Sequence, residues 1–131
     1  MQNTQNIHVM DWEVTTHSNG SAFDPRNKAV CIGYWNSKND NIECDFDDFS
    51  RGHEYADSLC VGFNLKFDLH WSRRQGYVLP KQVWDCQLAE FILSGQTIRY
   101  PSLDSSAILH LGNHKLGVIE QEYWSKGINL S

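Results

Sequence analysis

Two acids one residue apart, Asp11 and Glu13, lie in the apolar run IHVMDWEV. If that run is a β-strand, alternation puts both carboxylates on one face. Carboxylates a few ångströms apart repel and raise each other's pKa, and a cation between them removes the conflict. Hard oxygen donors of this kind suit Mg²⁺ or Mn²⁺. An Asp-x-Glu pair is common, and taken alone an exposed strand face explains it too. Met10, Trp12 and Val14 are apolar, which predicts a strand covered on both faces, where uncompensated carboxylates are costly. A third acid, Asp68, follows the apolar run SLCVGFN. Taken alone, it is explained by a helix dipole that favours an acid in the first turn.

The elements that would position these acids follow from hydrophobic pattern and turn chemistry. Residues 7–14 are β-rich, and 28–36 (KAVCIGYWN) are nearly continuously apolar, as in a buried strand. Between them THSNGSAFDPRN is rich in turn residues, with Gly20 and Pro25 as punctuation. NSKND then turns the chain, so that 41–46 pairs as a hairpin, and 58–64 forms a fourth strand. From Lys66 the spacing of Phe67, Leu69 and Trp71 predicts a helix that ends before Gly76. VLPKQVWD returns to strand, and Asp85 is placed to N-cap a helix over CQLAEFILSG. Ser102 caps a further helix, LDSSAILHLG, and GVIEQEYWSKG forms a last helical stretch. Hairpin strands followed by strand–helix alternation imply an α/β domain, a mixed sheet with helices packed on it.

Three segments in this order, DWEVTTHSNGSAFDPRN, VGFNLKFDLHW and VWDCQLAEFILSGQTIRYPSLDSSA, resemble the DnaQ-like, DEDD-type 3′–5′ exonucleases. The similarity is greatest to the proofreading domains of bacteriophage family A DNA polymerases, and it spans residues 7–127. It implies an RNase H-like fold and two Mg²⁺ or Mn²⁺ ions that promote in-line hydrolysis of a phosphodiester at a DNA 3′ end. Asp11 then matches the acid that bridges both ions, Glu13 the ligand of the ion that activates water, and Asp68 the acid that holds the second ion largely through water. Asn64, four residues before Asp68, matches a residue that contacts the 3′-terminal nucleotide. By the same resemblance Trp12, Val14 and His17 are further nucleic-acid-binding candidates.

The family also uses a late helix bearing Tyr-x-x-x-Asp or His-x-x-x-x-Asp, which supplies a fourth carboxylate and a general base. Here Gly127 stands four residues after Tyr123, Lys115 five after His110, and Ile119 five after His114. No Asp follows Asp104, which falls in the P-S-L-D segment. The expectation is therefore a single domain, 1–131, truncated before the family's final helix and weak or inactive alone. Loss of the general base removes a contribution worth roughly 10²–10⁴ in rate. A polymerase chain or a second copy is the expected source of the missing helix. Glu120 and Glu122 are alternative acids at unmatched spacing. A non-catalytic fold that binds a protein or a nucleic-acid end is the competing expectation.

Bulk properties set the remaining bounds. A chain of 131 residues with 40% hydrophobic content is long enough to bury a core. A net charge of −5 argues against stand-alone duplex DNA binding, whose affinity comes from neutralising phosphates. Cys31, Cys44, Cys60 and Cys86 form no C-x-x-C pair and sit mostly in apolar runs, which predicts buried free thiols in a reducing compartment. Without a signal-like N-terminus or a long apolar run, the expected location is the cytoplasm, that of a bacterial host if phage-encoded, with no membrane contact. His110 and His114 share an i, i+4 spacing interrupted by Gly112, so capping or solvated roles are expected for the histidines. Arg73, Arg74 and Lys81, near Trp71 and Tyr77, suit either a nucleic-acid backbone or a helix face whose long side chains lie along apolar surface.

Overall fold

The computed structural model describes residues 5–46, 48–49, 56–113 and 126. Five strands form one mixed sheet in the order β3-β2-β1-β4-β5. They are β1 (Ile7–Val14), β2 (Ala29–Asn36), β3 (Asn41–Asp45), β4 (Leu59–Gly62) and β5 (Gln82–Asp85). Three helices follow the predicted segments closely: α1 (Leu65–Arg74), α2 (Cys86–Leu93) and α3 (Leu103–Leu111). The stretch GVIEQEYWSKG, with His114, Glu120, Glu122 and Tyr123, lies outside the described residues except for Lys126.

β1, β2 and β3 make an antiparallel meander, with Asp11 opposite Gly33, Glu13 opposite Cys31 and Gly33 opposite Cys44. β4 runs parallel to β1 on its other side, and β5 runs parallel to β4. The β1–β4 pairing covers only Ile7–Val9 against Leu59–Val61, so β1 outruns β4 by several residues. At that point the chain leaves the sheet through Asn64, whose φ of 56° is left-handed, and enters α1. Asparagine is among the non-glycine residues that tolerate this conformation best.

One face of the sheet carries the core. Met10, Trp12 and Val14 of β1 join Ile32, Tyr34 and Cys60, and α1 closes over them with Leu65 and Trp71. Trp71 is fully buried, and its indole N–H donates to the Gly20 carbonyl at 2.8 Å. Trp12 donates from its indole to Ser72 on α1. The turn-rich loop between β1 and β2 is pinned from both sides. Asn27, completely buried, donates to the carbonyls of His17 and Ser21. Arg74 spans the carbonyls of Ala22, Asp24 and Asn27 and lies 4.8 Å from the Trp71 ring. Its guanidinium is thus engaged within the fold, and Lys81 pairs with Asp57.

Two expectations are corrected. β1 is covered on one face, not two: His8, Met10, Trp12 and Val14 are buried, whereas Asp11 is exposed and Glu13 partly so. The reason is that α1 is the one described helix that contributes buried side chains, while α2 and α3 have none. The thiols are free but not uniformly buried. Only Cys60 is buried, Cys31 and Cys86 are half-buried and Cys44 is exposed, because β3 is an edge strand. No described helix is long and apolar enough to cross a membrane.

Candidate active site

Strand order reverses direction around β1 and β4. The chain leaves β1 towards β2 on one side and leaves β4 through α1 towards β5 on the other. In open α/β sheets the crevice at such a switch point, beyond the carboxyl ends of the strands, is the default ligand site. A cavity of about 700 Å³ occupies this crevice, and Asp11, Glu13 and Asp68 all line it. Its walls are completed by Thr15, Thr16, Asn19 and Gly20 from the pinned loop, by Phe63 and Phe67 around the start of α1, and by Leu103 of α3.

Asp68 is held by a strand-pairing defect. Because β4 stops at Gly62, the Trp12 amide has no strand partner on that side, and Asp68 Oδ1 accepts its hydrogen at 2.9 Å. A side chain thus completes a backbone hydrogen bond that burial would make costly to leave unmade. Asp68 is only 4% exposed. Burial pushes its pKa up to about 7, against the lowering effect of the Trp12 amide, and the charges of Asp11 and Glu13 push it further up. Burial, with the charge of the same acid, raises Cys60 to about 11. Near neutral pH Asp68 is therefore poised between its protonated and ionised forms. A perturbed carboxylate in a cleft marks a candidate functional site.

The position of α1, and with it Asp68, is fixed by Asp85. One carboxylate oxygen accepts the Asn64 and Gln87 amides, and the other accepts the Leu65 amide at 2.9 Å. Asp85 caps α2 as its position before that helix predicts, and it also ties down the first turn of α1. Gly62 allows the close approach: a Cβ there would stand 2.4 Å from Leu65 Cδ1, inside van der Waals contact.

The remaining predicted residues fall in different places. Trp12 and Val14 line the cavity, but both are buried in the core, Trp12 at 3% exposure. Asn64 is exposed, engages Asp85 through its backbone, and is not among the residues lining the cavity. His17 is exposed on the loop beside it, outside the lining, and contributes its carbonyl to Asn27. His110 pairs with Glu90 across α3 and α2. Phe67, Gly20 and Leu103 were not singled out as site residues. Phe67 adjoins Asp68, and Leu103 stands inside the P-S-L-D segment, so their proximity to the motifs was the available signal.

The donor chemistry, three hard carboxylates on one cavity wall, fits Mg²⁺ or Mn²⁺. Among the described residues, however, no three His, Cys, Asp or Glu side chains are gathered into a metal-binding group. No protein-family model matches the chain, and no curated protein matches it.

Proposed function

We propose that this domain is a DnaQ-like 3′–5′ exonuclease domain of RNase H-like architecture. In this reading it binds the 3′ end of single-stranded DNA at the switch-point cavity and hydrolyses it slowly with Mg²⁺ or Mn²⁺. One observation carries the proposal. Asp11 and Glu13 from β1 and Asp68 from α1 share one cavity, where burial raises Asp68 and the charges of Asp11 and Glu13 add to the rise. The five-strand mixed sheet is compatible with the fold. When bound, the ions supply charge that stabilises attacking and leaving oxygens. Asp11 and Glu13, on the more exposed side of β1, would offer carboxylate donors, and Asp68 the oxygen not engaged by Trp12. Phe67 and Leu103 give the cavity apolar walls against which a terminal base can stack. The carboxylates at this cavity are Asp11, Glu13 and Asp68 alone among the described residues, so slow turnover is expected.

The test is Mn²⁺ titration followed by digestion of a 5′-labelled single strand, for the chain and for Asp11→Ala. Mn²⁺ binding and 3′ shortening that both disappear in Asp11→Ala support the proposal. Binding that Asp11→Ala leaves unchanged overturns it.

A separate observation favours a second reading, a non-catalytic domain that docks a partner. Apolar side chains of β5, α2 and α3, including Trp84, Leu88, Ile92 and Leu111, are exposed. Metal binding without any strand shortening would favour this alternative.

A further inference from the structure

The face of the sheet opposite the core carries a thiol pair that the proposed chemistry does not use. Cys31 on β2 lies two residues from Gly33, and Gly33 pairs with Cys44 on β3. Cys31 and Cys44 therefore share one face as diagonal neighbours on adjacent antiparallel strands. Their side chains are near enough to interact. Cys44 is exposed and open to reagents, whereas Cys31 is half-buried behind it.

We propose that Cys31 and Cys44 are a redox modification site, an exposed attacking thiol and a shielded resolving thiol that low-molecular-weight disulfides convert into a cross-strand bridge. In the first step the Cys44 thiolate attacks one sulfur of the oxidant, a new S–S bond forms and one thiolate leaves. In the second step Cys31 loses its proton to water and attacks the Cys44 sulfur, and the second thiolate leaves. Two protein thiols are oxidised and one small disulfide is reduced to two thiols.

Diagonal neighbours stand about 7–8 Å apart at Cα, slightly beyond the usual span of a disulfide. Closure therefore needs a small movement of one strand. β3 supplies it, because it is an edge strand with β2 as its one neighbour in the sheet.

The experiment exposes the folded chain to oxidised glutathione, with intact-mass analysis and non-reducing peptide mapping. The wild type is expected to lose two hydrogens, with the Cys31 and Cys44 peptides linked. Cys31→Ser is expected instead to gain one glutathione on Cys44, and Cys44→Ser to remain unmodified at Cys31. A parallel reaction in urea scrambles the pairing if the native strands select it. Stable glutathione on Cys44 of the wild type, a link from Cys31 to Cys60 or Cys86, or the same selective link in urea overturns the proposal.

Discussion

Replacing Asp68 by Asn separates what this side chain does for the fold from what it does as an acid. Its pKa rises from 3.8 to about 7 in the folded chain, and the largest cause is burial. At about 1.4 kcal/mol per unit, the folded state bears roughly 4 kcal/mol of unfavourable ionisation energy above pH 7. The sign follows from proton counting. Between pH 3.8 and 7 the folded chain holds a proton that the unfolded chain has released, so stability falls as pH rises through that window. Below it both states are protonated and the penalty vanishes. Asn keeps an oxygen for the Trp12 amide, as the protonated acid does, and the charge-assisted part of that bond is already contained in the shift. Asp68→Asn is therefore expected to gain about 4 kcal/mol at pH 8 in the presence of chelator. At pH 4 it should be neutral or slightly destabilised. Urea midpoints at the two pH values, with unchanged m, measure it. Equal destabilisation at pH 4 and pH 8 would refute the claim that burial and the two neighbouring acids act on Asp68.

Further outcomes follow from the same geometry. Burial lowers His8 from 6.5 to about 4, so its contribution is present above pH 6.5 and lost as pH falls towards 4, roughly 3 kcal/mol in full. In the wild type this loss runs against the gain from Asp68, which predicts a flat melting temperature between pH 4.5 and 6. Asp68→Asn should instead melt progressively lower across the same range, and parallel curves for the two proteins would contradict both assignments. Asp85→Ala leaves the amides of Asn64, Leu65 and Gln87 without their shared acceptor and is expected to cost about 3 kcal/mol by urea unfolding. A loss below 1 kcal/mol would show that α1 and α2 hold their places without it. Arg74→Lys cannot span three carbonyls and should open the β1–β2 loop, speeding limited proteolysis within residues 15–28, with unchanged cleavage as the contrary result.

Much of the architecture is legible as local chemistry. The apolar runs mark all five strands to within a few residues, and Asp85 and Ser102 cap the helices they precede. Gly76, at φ 80°, stands just past the end of α1. What local pattern could not convey is what covers each element. Leu88, Ile92 and Leu93 recur at helical spacing as core residues would, yet Leu93 is 79% exposed. Periodicity says which residues share a face, not whether another element meets it. The same limit explains β1, whose apolar residues suggested two covered faces when one suffices. Within the site, the pairing of Asp11 with Glu13 on one strand face could be read from alternation alone. The tie between Asp68 and Trp12 could not, because the unpaired amide exists only where β1 extends beyond β4, and that is a matter of register between strands far apart in sequence. Trp12 illustrates the reverse case: inside the acidic motif it serves the core through Ser72.

The short β1–β4 seam also bears on the order in which the molecule comes together. The meander β1–β2–β3 and the unit β4–α1–β5 are each built from contacts between neighbours in sequence. What joins them is the three-residue pairing of β1 with β4, the packing of α1 on the core, and hydrogen bonds between groups far apart in sequence, such as Trp12 and Asp68, 56 positions apart. Closing a connection of that length gives up chain entropy before any contact repays it, so sequence-distant pairings of this kind are slow to form. Asp11 and Glu13 belong to one half and Asp68 to the other. The cavity is thus a product of docking rather than of either half, and a chain with both halves folded but undocked would have every acid in place and no site.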